Sequence, residues 1–528
     1  MIQLLHLERP TRLVTLVATL LFGIVLIRTA WVTDDAYITL RTVDNFVSGR
    51  GLTWNPDERV QAYTHPLWMF ILTGAYALTH EGFLTTIAVS MAVSMAAFWL
   101  ISTRLTSDPW SVVIGVTILL LSKSFIDFST SGMENPATHL LLAVFLIWYL
   151  SGASETPRRR SLLLGLVTSA ATLIRPDLFL IVLPAVAYGF VRSDGGPRGR
   201  AMLLAGLLPL VAWEAFSVIY YGSLVPNTAY AKLNTGIPFK DLLEQGALYY
   251  LNGIDLDPLS MTVIAAGLAA AGLWGNGAQR RIALGTALYL GYVLIIGGDF
   301  MSGRMFSPAV LVSTVLLVKL VASESVVTKL FLLGTVILLG FSSLTPTLLS
   351  GSAYAQPIPT RNGIGDKRSD SFTENGLLPI LRNAPRPSHH WVLEGLELSY
   401  QGRVVLAQDA IGYLGYFAGP DVHIVDEVAL ADPLLARLPA SDPLNWRIAL
   451  FYRDIPTGYL ESIETGVNRI ADPDLARLYD KIHLITSGEL FDPERLRAIW
   501  ELNTGQYAQW IRNYVERTAD VSRDSDDS

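Results

Sequence analysis

From its start to about residue 349 the chain alternates apolar runs with short polar breaks, and many runs approach the length of about 20 residues that a helix needs to cross a bilayer. The first, residues 13–32, follows Arg9 and Arg12. It is too long for the core of a leader peptide and lacks a small-residue cleavage site, so it is expected to remain as a span with a cytoplasmic N-terminus. Short cytoplasmic loops are rich in Lys and Arg. Arg104, Arg158 to Arg160, Arg192 with Arg198 and Arg200, Arg280 with Arg281, and Lys329 therefore mark the inner side. Two apolar stretches, 66–78 and 84–102, lie between Asp34 and Arg104, and crossing twice would put Arg104 on the wrong side. Residues 65–79 thus read as an interfacial or re-entrant helix and 84–102 as the second span. Runs 112–128, 137–150, 162–174, 178–191, 201–219, 259–274, 282–296, 310–321 and 330–348 then alternate across the bilayer, which predicts eleven spans with the C-terminus outside.

The pattern changes after residue 350. Residues 356–359 read as a linker, 403–408 and 422–425 as short strands around a Gly-rich stretch at 412–419, and 493–510 as helical. The expected architecture is a polytopic α-helical membrane domain over residues 1–349, with a first outer loop at 31–83. A soluble, extracytoplasmic α/β domain over 350–519 and a disordered acidic tail at 520–528 complete it.

Composition agrees with a membrane protein: 528 residues, 51% hydrophobic, 16% charged, mean hydropathy +0.39. Charge is uneven, with 17 Lys+Arg against 26 Asp+Glu in residues 350–528 and 22 against 20 before them. The acidic C-terminal part gives no sign of nucleic-acid binding. With no cysteine, disulfides, thiol catalysis and cysteine-ligated metals are excluded. The eight histidines show no metal-ligand spacing.

The polar residues without an obvious structural duty gather at the outer ends of the expected spans. Asp34 and Asp35 come first, at the head of an amphipathic stretch, 36–47, that reads as a helix lying on the membrane surface, with Arg41 and Asp44 off its apolar face. An N-cap role would account for Asp34 alone, less well for the pair. Tyr63 and His65 lie in a polar loop suited to shaping a sugar site or simply to being solvated. Glu134 is a candidate for substrate binding or for capping the next helix. Arg175, Lys232 and Arg304 put cations on the outer side, where a lipid phosphate would need them; an ion pair with Asp177, or snorkelling to headgroups, would also explain them. Asn227, Tyr230 and Asp299 complete the candidate substrate-binding set. A carboxylate as general base with cations at a phosphate leaving group is the chemistry of sugar transfer from a lipid phosphate.

Asp34-Asp35, Gly132-Met133-Glu134-Asn135-Pro136, Arg175-Pro176-Asp177, the run from Pro226 to Lys232 and the run from Gly297 to Arg304, in this order, resemble the GT-C polyprenyl-phosphate glycosyltransferases. Within them the resemblance is closest to the terminal arabinofuranosyltransferases of mycobacterial cell-wall assembly and to relatives that include one tied to flagellar motor control. Residues 412–417, Val425-Asp426, 431–434 and Asn445-Trp446-Arg447 extend it to the C-terminal part. The resemblance implies a GT-C type bundle in the bacterial inner membrane and an outer-face site. It also implies a polyprenyl-phosphate-linked sugar as donor, an envelope glycan or protein as acceptor, and Asp34 or Asp35 as catalytic group. No cofactor is called for; a divalent cation held by Asp34, Asp35 and Glu134 stays open. The competing readings are a non-catalytic envelope or motor-regulating protein of the same fold, and a transporter. A transporter would place ionisable groups at mid-span.

Overall fold

A computed structural model describes residues 9–151, 156–192, 195–350 and 362–526. The chain is mostly helical. Three helices, Thr11–Thr29, Phe83–Arg104 and Arg304–Val321, are long and apolar enough to cross a membrane. Two bent pairs, Gly196–Gly206 with Leu208–Tyr220 at 43° and Phe239–Leu256 with Pro258–Trp274 at 112°, raise this to five, and shorter apolar helices stand among them.

Several helix ends differ from the runs in the sequence, for local reasons. The run at 112–128 is not one helix: Pro109–Leu121 stops at Ser122, which is extended and caps the short helix Lys123–Asp127 by accepting from Phe125 N. The sharp bend before Pro258 is fixed by Asp257. Its carboxylate accepts from Ser260 N at 3.2 Å and from Ser124 N at 2.7 Å, tying two helix breaks together. The helix Pro66–Thr79 has 14 residues, about 21 Å at 1.5 Å each, short of a hydrocarbon core of about 30 Å.

The helix Asp34–Val47 departs from the surface helix expected of it. Arg41 is buried rather than facing solvent, and its guanidinium donates to Gly415 O at 2.6 Å, Val422 O at 2.7 Å and Trp54 O at 2.9 Å. The first two acceptors belong to a small β-α-β unit: strands Val404–Gln408 and Val422–Asp426 pair in parallel, with the helix Tyr413–Ala418 between them; the third lies in the first outer loop. The strand positions thus follow the sequence pattern, while the Gly-rich stretch between them is largely helical.

Other buried polar side chains fasten this C-terminal part to the membrane part. Asn227 donates to the carbonyls of Ala429, Leu430 and Asp432. Arg453 donates to Ala231 O, and Arg495 to Ile219 O and Tyr220 O. Asp127, Lys123, Asp366 and Arg368 form a buried ionic cluster between the short helix and the segment after residue 362. The backbone of the last helix, Ala508–Asp526, covers most of the stretch expected as a disordered tail. The linker expected at 356–359 lies outside the described residues.

Candidate active site

The acidic pair is positioned from three directions. Thr33 N donates to Ser131 O at 3.0 Å, so the loop before Glu134 is held against the first turn of the helix Asp34–Val47. Gly132, at φ +83°, makes that approach feasible, because a side chain there would meet Ala36 Cβ at 2.7 Å. From the C-terminal part, Tyr413 N donates to Asp34 Oδ1 at 2.6 Å and Tyr413 Oη to Val32 O at 2.6 Å. Gly412 packs so closely on Asp34 that a side chain would overlap its carboxyl group.

The two carboxylates consequently differ. Thr33 is the N-cap residue, and neither it nor Asp34 caps by a side chain; Asp34 is spent on the Tyr413 amide. Burial pushes its pKa up to about 7, against the lowering effect of that amide. Asp35 makes no hydrogen bond among the described residues. Its pKa is raised by burial and pulled back by the Arg304 and Lys232 cations.

Glu134 occupies the N-cap position of the helix Asn135–Leu150 but makes no capping bond. Its side chain instead joins Arg304 Nη2 at 3.2 Å, Arg175 Nε at 3.6 Å and His65 Nδ1 at 3.5 Å. These cations hold its carboxyl at about 2 despite burial. Arg175 also pairs with Asp177, as a local ion pair would, and Arg304 Nη1 with Asp299 Oδ2 at 2.9 Å. Even so, Arg175 Nη1 and Arg304 Nε are buried N–H groups without an acceptor. His65 Nε2 lies 2.9 Å from Thr39 Oγ1, which links the cluster to the helix of the acidic pair.

A cavity of about 490 Å³ opens beside this cluster. Glu134, Arg175, Asp177, Lys232, Asp299 and Arg304 lie on its polar wall. Lys232 is exposed and makes no ion pair among the described residues. The rest of its lining is largely apolar and includes Leu233, Phe239 and Ile295, which stand 74%, 61% and 48% exposed. Ile448, Ala449 and Phe451 close it from the C-terminal part.

Not every candidate reaches this cavity. Tyr63 is buried, its hydroxyl 2.9 Å from that of Tyr221. Asn227 is an anchor, its amide committed to three carbonyls. Tyr230 accepts from Ser223 Oγ and lies under the Arg437 guanidinium. Each of these three side chains serves packing or docking in this structure. His65 reaches the cavity only through Glu134. Among the described residues no group of three His, Asp or Glu is arranged as a metal site, and Glu134 is turned to arginines rather than to the Asp pair. Sequence reading singled out Gly412 and Tyr413 only as part of a resemblance, without a role, and did not single out Phe239 or the 448–451 wall. The neighbouring Asn445-Trp446-Arg447 motif was the only signal for the last of these.

No family model matches the chain. It is similar to the terminal beta-(1->2)-arabinofuranosyltransferase of Mycobacterium tuberculosis, 30% identical over 242 residues, 42% of this chain and 37% of that protein. It is also similar to the terminal beta-(1->2)-arabinofuranosyltransferase of Corynebacterium glutamicum, 27% identical over 326 residues, 52% of this chain and 46% of that protein. The matches span less than half the length of either relative.

Proposed function

We propose, with kinship to the terminal arabinofuranosyltransferases as the premise, that the chain is a membrane glycosyltransferase. It moves a sugar, arabinofuranose or another pentose, from a polyprenyl-phosphate donor to a cell-envelope glycan or protein on the outer face. The observation that carries this reading is one cavity whose lining combines Arg175, Arg304 and an unpaired Lys232 with the exposed apolar side chains of Leu233, Phe239 and Ile295. An anionic head and a hydrocarbon tail together satisfy both parts of this lining; a soluble sugar nucleotide would leave the apolar part wet.

Asp35 is assigned as general base and Asp34 as the residue that holds the turn. Asp35 takes the proton of the acceptor hydroxyl as that oxygen bonds to the anomeric carbon. The bond from that carbon to the phosphate oxygen breaks, and polyprenyl phosphate leaves with its charge on Lys232 and the two free guanidinium N–H groups. Glu134 positions both arginines rather than touching sugar.

The eleven-span topology belongs to the same reading. What supports it is that the acidic pair, Glu134, Arg175, Lys232 and Arg304, drawn from separate loops, come together in one region of the fold. That region is assigned to the outside of the inner membrane.

The test is sugar transfer by purified protein in nanodiscs supplied with a polyprenyl-phosphoryl pentose. Asp35→Asn is expected to lower kcat by about 100-fold or more, the contribution of a general base, and Lys232→Ala to raise KM for the donor. Transfer at the wild-type rate by Asp35→Asn would refute the assignment.

A further inference from the structure

A second cleft, about 210 Å³, lies between the first outer loop and the C-terminal part. Asp57, Glu58, His423, Tyr459, Tyr479 and His483 are on its walls. The loop that supplies Asp57 and Glu58 runs on to Thr64 at the first cavity, and that length of chain reaches at most about 25 Å.

His423 is paired with the acidic residues of the cleft, and Arg403, exposed on its wall, makes no ion pair among the described residues. His423 Nδ1 lies 3.0 Å from Asp57 Oδ1, and His423 Nε2 lies 3.8 Å from Glu58 Oε1. A cationic ligand would have to compete with His423 for these carboxylates, whereas a hydroxylated one can use them and the Arg403 guanidinium as they stand. Hydrogen-bonding capacity is left over. Asn55 Nδ2 donates to Glu58 Oε1 at 2.9 Å, but Glu58 Oε2 has no partner among the described residues although the side chain is only 14% exposed. The Tyr479 hydroxyl is likewise without one. Tyr459 is buried and meets the Tyr479 ring edge to face at 5.6 Å, so the half-buried Tyr479 ring is the aromatic surface beside these polar atoms. Carboxylate oxygens that accept hydroxyls, next to aromatic faces that cover C–H groups, suit a sugar ring. The volume lies under the range of about 300–1,000 Å³ typical of drug-sized ligands and accommodates one small ring.

We propose that this cleft is a saccharide subsite that holds one ring of the acceptor glycan at a distance from the ring that reacts, an assignment that rests on the transferase reading. The subsite anchors a chain of several sugars and leaves its end to the cavity lined by Arg175, Lys232 and Arg304.

The test is saturation-transfer NMR on the full chain in nanodiscs, without donor, using arabino-, manno- and gluco-oligosaccharides as probes. At least one is expected to bind, and Glu58→Gln and the cleft-filling His483→Trp are each expected to weaken it tenfold or more. His483 is exposed, so its replacement spares the fold where Glu58→Gln does not. Absence of binding by every probe, binding only of a cationic peptide, or sugar binding untouched by both substitutions overturns the subsite. Donor turnover separates the two proposals. Sugar binding sensitive to the substitutions in a protein without transferase activity sinks only the transferase reading, and active transfer with insensitive binding sinks only the subsite.

Discussion

Adjacent aspartates in one helical turn are given different chemistry by what each side chain meets. Asp34 accepts the Tyr413 amide and sits against Gly412; Asp35 has no such donor and feels chiefly burial and the field of Arg304 and Lys232. Two pH effects follow. Lys232 lowers the pKa of Asp35, so in Lys232→Ala the acidic limb of the kcat/KM profile for transfer is expected to move to higher pH. The second effect concerns stability. Asp34 has its folded pKa raised from 3.8 to about 7, so between these values the folded chain binds more protons than the unfolded one, and stability falls as pH rises through the window. Asp34→Asn is expected to flatten that slope in thermal melts taken from pH 4 to 7. Glu134 has the opposite sign: its carboxyl is held at about 2, and the stability it contributes is present above about pH 4.5 and lost as pH falls toward 2.

At the scale of elements, the helix Asp34–Val47 is a strut between the bundle and the C-terminal part. Arg41 contributes to that connection through the carbonyls of Gly415 and Val422, and it is held in place by the Trp54 carbonyl and the face of the Trp54 ring, 4.3 Å from its centroid. Replacing it with methionine keeps the length and leaves buried carbonyls without donors, at a cost on the order of 3 kcal/mol. Arg41→Met is therefore expected to lower the melting temperature. It is also expected to impair transfer, because the Tyr413 contact that fixes Asp34 sits on the same β-α-β unit. A full-rate, fully stable Arg41→Met protein would show that the strut is dispensable.

The whole molecule folds as membrane and C-terminal parts in continuous contact. Ile448, Ala449 and Phe451 close the cavity whose polar wall comes from the helix ends, and Asn227, Arg453 and Arg495 each cross the boundary to satisfy carbonyls. Unfolding of the detergent-solubilised chain is expected as one cooperative transition by intrinsic fluorescence; two well-separated transitions would mean independent units. Sidedness is testable on the same scale, since the chain has no cysteine of its own. A membrane-impermeant maleimide added to intact cells is expected to label Leu444→Cys, 90% exposed in the C-terminal part, and not Arg280→Cys.

Sequence alone determined the helical, membrane-embedded character of the chain and the set of charged residues at helix ends. Both follow from local rules: a bilayer fixes the length and polarity of a span, and charges seek its edges. It also placed the two strands, because alternation and flanking glycines are local signals. Tertiary structure alone decided which of those residues share a cavity, that Tyr63, Asn227 and Tyr230 are occupied elsewhere, and that Arg41 is buried. These outcomes depend on partners hundreds of residues away, such as Gly415 for Arg41 and Ala429 for Asn227. The difference between Asp34 and Asp35 has the same origin: a backbone amide donated from residue 413 reaches one carboxylate and not its neighbour, and no periodicity or spacing in the chain encodes that distance.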